Sequence, residues 1–229
     1  MAGRQTRKIG LDAVAALPTL KARLAAERLE LLGGFAVSEG EDGFPAGTHT
    51  LLLLGPAEPG FWPHLTGQPE WDGQPDPVDR WSRRVIGRLA CDLGAKALFP
   101  FSGPPYHPFH RWALRTGRVW DSPVRLLVHA GQGLMVSFRG ALALQEVVEV
   151  PPPAHRPCDG CLAPCLTACP AGALTENGYD VPRCHAFLDQ PEGSACMTGG
   201  CLVRRACPVT QAYARLAEQS AYHMRQFHK

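Results

Sequence analysis

Residues 158–170 read Cys-Asp-Gly-Cys-Leu-Ala-Pro-Cys-Leu-Thr-Ala-Cys-Pro, four cysteines at the spacing C-x2-C-x3-C-x3-C-P. A second, looser group follows: Cys184, Cys196, Cys201 and Cys207, again closed by a proline, Pro208. Eight of the nine cysteines therefore lie after residue 157, and only Cys91 precedes them. At about 4% of the chain they are too sparse for a secreted disulfide scaffold. In the reducing cytoplasm, the expected location, clustered thiols serve as metal ligands more often than as bridges.

The first group differs by one residue from the bacterial ferredoxin run C-x2-C-x2-C-x3-C-P. Eight thiolates in two groups of four suit two [4Fe-4S] clusters. Two thiolates on one tight loop reach adjacent irons, and the N–H groups of that loop offset the negative charge. The fourth cysteine of such a run is carried away from its neighbours and serves the other cluster. Cys158, Cys161 and Cys165 would thus join Cys207, and Cys169 would join Cys184, Cys196 and Cys201. Two alternatives stand beside this reading. Structural zinc accepts the same thiolates, although zinc modules favour paired C-x2-C knuckles and have no need of Cys-Pro in both groups; disulfides are the other.

Outward from the cysteines the composition changes. Pro151-Pro152-Pro153 lacks backbone donors and favours extended geometry, which marks a linker between a domain of residues 1–150 and a cysteine-rich module of residues 151–229 with a C-terminal helix. In the first domain Leu20, Leu24 and Leu31 predict a helix over about 19–32, stopped by Gly33-Gly34. His49–Leu54 reads as a buried strand and the segment through Gln74 as loop, with Trp62 and Trp71 as packing or domain-interface residues. Asp76-Pro77 reads as N-cap and first turn of a helix whose Val78, Trp81, Val85, Leu89 and Leu93 share one face before Gly94. A strand over 97–101, a helix over 107–116 and a hairpin of 124–129 with 134–144 complete an α+β layer. With a net charge of +2 and 19% charged residues, the chain carries no electrostatic footprint for nucleic acid. No apolar run reaches the length of a membrane span. The basic residues before Leu11–Leu20 imitate a signal peptide, but Asp12, Pro18 and Lys21 break the imitation.

Two family resemblances add to this. Cys169-Pro170-Ala171-Gly172-Ala173-Leu174, Tyr179-Asp180-Val181 through Cys184, Phe187-Leu188 and the final Cys-Pro resemble the double-cluster module of epoxyqueuosine reductases, over roughly residues 155–210. Thr50–Gly55, the Asp76-Pro77-Val78-Asp79 helix start and His129–Leu142 are similar to cobalamin-processing proteins of the CblC type, although Ala130 stands where proline is usual and Met135 where an aromatic is usual. The resemblances imply a nitroreductase-related, CblC-like sheet-and-helix domain followed by a small ferredoxin-like double-cluster module. They also imply cobalamin as a further cofactor, a corrinoid or small-molecule substrate site in the first domain, and an electron-donor protein or small reductant as partner. Arg139 matches the arginine of the CblC-type segment, associated there with the thiol or cofactor pocket. His129, beside Gly131 and Gly133, would approach a planar cofactor or substrate. Asp121-Ser122-Pro123 resembles a D-S-x-P segment whose aspartate donates a proton, which would make Asp121 the catalytic acid.

Each residue has a plainer reading. Arg139 suits an ion pair or backbone clamp, His129 a hydrogen-bonded structural histidine, and Asp121 an Asx-type turn before proline. Cys91 suits a small buried apolar residue, and Tyr106–Trp112 suits packing as well as a pocket wall or partner-docking surface. His155 and His185 are placed to hydrogen-bond a cluster sulfur. Three functions follow: an iron-sulfur oxidoreductase that passes single electrons to its first domain, a ferredoxin-type carrier whose first domain is a scaffold, or a zinc-stabilised binding protein.

Overall fold

The computed structural model describes residues 17–229; most of the signal-like stretch lies outside the described residues. Helix α1 (Leu17–Ala26) buries Leu20 and Leu24 and ends before Arg28, which takes a left-handed φ of 52°. The chain then enters strand β1 (Leu29–Ala36), so the expected helix through Leu32 stops short. Gly33 and Gly34 do not terminate a helix. They sit in the strand, past a bulge at Leu31/Gly33, where a β-carbon on Gly33 would lie 2.7 Å from Thr116 Cβ and one on Gly34 would lie 2.8 Å from the Leu51 carbonyl. Close approach of neighbouring chain, rather than helix capping, requires them.

Strand β2 (Thr50–Pro56) is buried along its whole length because the sheet is covered on both faces. Leu52 and Leu54 belong to one core with Leu142 and Leu144, and Leu51 and Leu53 to another with Ala141 and Ala143. This alternation is the period of a strand, hidden in the sequence by the unbroken leucine run. The antiparallel sheet has the order β1-β2-β6-β3, with β3 at Lys96–Leu98 and β6 at Gly140–Leu144. One face packs against α3 (Pro77–Asp92) through Trp81, Val85, Ile86 and Leu89; the other against α4 (Phe109–Arg115) through Phe109, Trp112 and Ala113. Helix α3 starts at Pro77 as expected. Asp76 does not cap it with its side chain, however: its backbone is left-handed, at φ 53°, and its carbonyl accepts from Asp79 and Arg80. A short helix α2 (Phe61–Thr66) replaces part of the expected loop.

The expected hairpin of 124–129 with 134–144 is not formed. Strand β5 (Leu127–His129) pairs instead with β4 (Val119–Asp121), while β6 lies between β2 and β3. Residues 134–139 contain no strand, and the Leu134 N–H is taken by Thr210 Oγ1 at 3.0 Å. The tail has captured the backbone that a hairpin would need.

Beyond 150 the chain forms short elements: hairpin β7 (Leu174–Thr175) and β8 (Gly178–Tyr179), α5 (Val181–Leu188), α6 (Ser194–Gly199), α7 (Leu202–Ala206), α8 (Pro208–Ala212) and α9 (Ala217–Phe227). The tail and the first 150 residues share a core: Val124, Val128 and Leu134 pack with Cys165, Leu174, Val203 and Cys207. Tyr213 donates to the Pro56 carbonyl at 2.7 Å, and Tyr222 of α9 packs against Trp62 and Trp71 with ring centroids 5.3 Å from each. The two tryptophans are interface residues. No described helix is long and apolar enough to cross a membrane.

Candidate metal centre

Short-range geometry places each cysteine. Gly160 at φ 75° lets Cys161 N–H return to the Cys158 carbonyl, 3.2 Å away. Ala163 is also left-handed, at φ 49°, and Pro164–Leu166 then form one 3₁₀ turn that buries Cys165. The Ala163 N–H points at Cys161 Sγ (3.4 Å), and the Ala173 N–H points at Cys169 Sγ (3.2 Å). Asp180 caps α5 by accepting from the Arg183 N–H at 3.0 Å, which fixes Cys184 on the first turns of that helix. Cys196 lies in α6 and Cys201 precedes α7. Cys207 is the N-cap of α8, whose first residue is Pro208, a position that needs no donor.

These placements bring the eight thiols together as two quartets, each drawn from both cysteine groups. Cys158, Cys161, Cys165 and Cys207 line one cavity of about 470 Å³. Cys169, Cys184, Cys196 and Cys201 line another of about 260 Å³, and neither cavity includes a cysteine of the other quartet. Burial pushes the Cys158, Cys165, Cys184 and Cys196 thiols above their ordinary range, and the other thiols of the same quartet add to the shift. Like charges gathered in a poorly hydrated space have this effect, and a bound cation reverses it. Among the described residues no three His, Cys, Asp or Glu side chains close around a single metal ion. All nine cysteines are free thiols.

The surroundings of the quartets differ. The cavity of Cys169, Cys184, Cys196 and Cys201 is also lined by Arg204, Arg215 and His223 and by no carboxylate. Arg204 donates to the Leu134 carbonyl at 2.5 Å, and Arg215 donates to the Met135 carbonyl at 3.4 Å while its buried Nε has no partner. Burial pushes Arg215 down to about 10, with Arg204 adding to the shift, and burial beside Arg215, Arg139 and Arg204 pushes His223 down to about 2. Glu58 is the carboxylate that interacts with Arg215, and it lies outside this wall, so two guanidinium groups face the cavity with no carboxylate among its lining residues, a setting that suits an anionic group. Tyr179 donates its hydroxyl to Cys184 Sγ at 3.3 Å, and its ring stacks on Phe227 with centroids 6.0 Å apart. The other cavity is lined by Asp159 and mainly by apolar and small residues, with Leu162 at its rim 98% exposed.

The remaining predicted residues lie outside both cavities and are engaged elsewhere. Arg139 is partly buried, donates from Nε to the Phe138 carbonyl, and meets Asp79 Oδ1 at 3.4 Å. His129 is buried with its Nε2 2.9 Å from the Leu32 carbonyl, while its Nδ1 accepts from the N–H groups of Gly131 and Gln132 at 3.1 Å each. That pattern fixes the neutral Nε2–H tautomer, and burial pushes its pKa down to about 4. Gly133, at φ 56°, admits the second Cys-Pro loop: a β-carbon there would lie 2.6 Å from Thr210 N and 3.0 Å from Cys207 Sγ. Asp121 is half-exposed and faces His110 Nε2 at 3.1 Å. The turn after it is closed by Ser122 and Arg125 backbone rather than by the aspartate side chain.

Further residues depart from expectation. Cys91 is exposed rather than buried, because its position on α3 faces away from the sheet. His185 pairs with His228, Nδ1 to Nδ1 at 2.8 Å, and His155 faces the Arg156 carbonyl; Tyr179 supplies the side-chain hydrogen bond to a thiol. Phe109 and Trp112 are core residues, whereas Tyr106 is 66% exposed. Sequence reasoning missed Tyr179, Arg204, Arg215 and His223 as site residues. Tyr179 and Arg204 stand five residues before and three after cluster cysteines, a proximity that was the available signal. No family model, no curated protein and no solved structure matches this chain.

Proposed function

We propose that the protein is a cytoplasmic iron-sulfur redox protein that holds two [4Fe-4S] clusters and passes single electrons. The observation that carries this reading is the sorting of eight thiols into two quartets, each taken from both cysteine groups and each lining its own cavity. A zinc ion with sulfurs at about 2.3 Å would require thiols about 3.8 Å apart. A [4Fe-4S] core is larger and suits ligands spread around a cavity. When bound, such clusters supply one-electron chemistry.

This chain's own residues hold, orient and shield. Cys158, Cys161, Cys165 and Cys207 would bind one cluster and Cys169, Cys184, Cys196 and Cys201 the other. The Ala163 and Ala173 N–H groups and the Tyr179 hydroxyl stabilise thiolate charge. The β4–β5 pair and the turns beside it support the cavities by packing Val124, Val128 and Leu134 beneath them. In this reading the first 150 residues are a nitroreductase-related scaffold and the tail a ferredoxin-like module. The electron donor is a protein or small reductant. With Arg139, His129 and Asp121 held by protein partners, no corrinoid-binding role is assigned to them.

Anaerobic titration with a one-electron reductant tests the function. The reading expects reversible bleaching complete at about two electrons per chain. A protein that takes up no electrons, or that bleaches irreversibly, would contradict it.

A further inference from the structure

The two thiol cavities are alike in ligands and unlike in charge. Around Cys169, Cys184, Cys196 and Cys201 stand the cations Arg204 and Arg215, with no carboxylate in the wall. The Tyr179 hydroxyl lies on Cys184 Sγ at 3.3 Å, held by the stack of its ring on Phe227. Around Cys158, Cys161, Cys165 and Cys207 no arginine lines the cavity, Asp159 does, and the nearby Arg156 is exposed and faces that aspartate at 3.9 Å. Reduction adds negative charge to a cluster. Hydrogen bonds to sulfur and buried cations therefore favour the reduced form and raise the potential.

We propose that the two centres are unequal electron acceptors, the one held by Cys169, Cys184, Cys196 and Cys201 being the more oxidising, with Tyr179 as a potential-setting residue. The inference rests on the two-cluster reading and adds a direction to it. In that arrangement a one-electron donor, itself oxidised, would reduce the centre held by Cys158, Cys161, Cys165 and Cys207. The same electron would then pass to the centre beside Tyr179, leaving the first oxidised again and the second reduced, with no bond made or broken. Tyr179 is a positioning residue: it touches a ligand sulfur, not a substrate.

The test is a potentiometric titration of the full-length, iron-loaded protein, followed by electron paramagnetic resonance. Two separate one-electron waves are expected. Tyr179→Phe should lower only the upper wave, weakening its reduction about tenfold, or about 59 mV for one electron, at unchanged iron content. Phe227→Leu, which frees the tyrosine ring, should move the same wave in the same direction by less. Coincident waves in the wild type, an upper wave that both variants leave in place, or a shift of the lower wave would overturn the inference while leaving two clusters intact. A protein that binds no iron would overturn the two-cluster reading beneath it.

Discussion

His129 shows how much a single residue of this fold does without touching a ligand. Its ring closes the β5 turn through two N–H groups and anchors β1 through the Leu32 carbonyl. Because its pKa is about 4 in the fold against an ordinary 6.5, the unfolded chain takes up the proton first as the pH falls. The associated stability is complete above about pH 6.5 and declines toward pH 4 by about 3 kcal/mol. Urea unfolding should show about 2 kcal/mol of this loss between pH 7 and pH 5, and His129→Gln should flatten the dependence. Gly133 is the other decisive position. With its φ of 56° and Cys207 Sγ 3.0 Å from the would-be β-carbon, Gly133→Ala must displace the Cys207 loop. Under the two-cluster proposal, iron analysis should then find about four irons against about eight in the wild type. Both residues were singled out in the sequence for a cofactor, yet their roles come from neighbours far along the chain, which sequence spacing does not display.

At the scale of elements, legibility followed periodicity. Helix α3 was readable because Val78, Trp81, Val85 and Leu89 repeat on one face and Pro77 opens it. Strand β2 was readable because a short leucine run ends at Gly55-Pro56. The β1 boundary was not: Leu31 fits a helical stripe as well as a strand, and the bulge beside it erases alternation. The hairpin failed for a different reason, since β5 and β6 are neighbours in sequence but the tail claims the segment between them. Helix α9 is the tail's fastening: Tyr222 sits between Trp62 and Trp71, and His223 and Phe227 reach the cavity of Cys169 and Cys184. Tyr222→Ala should cost about 2 kcal/mol in chemical unfolding and speed iron loss to a chelator from that centre.

The whole molecule is organised by sharing. Each quartet takes thiols from both cysteine groups, so neither group completes a centre alone, and the core beneath them takes residues from both sides of the proline run. Under the two-cluster proposal, cluster binding and folding form one equilibrium. Stripping the metal should lower the melting temperature of the entire chain in a single calorimetric transition; a sheet domain that melts independently and unchanged would contradict this. The gathering of the eight thiols into two quartets was legible because cysteine spacing is a local signal. The cationic wall around one quartet was not, since only tertiary packing brings Arg204 and Arg215 to it. The most direct test is to count iron and acid-labile sulfide in protein purified without oxygen. The account predicts about eight of each per chain. Zinc without sulfide, or cysteines found paired as disulfides, would contradict it.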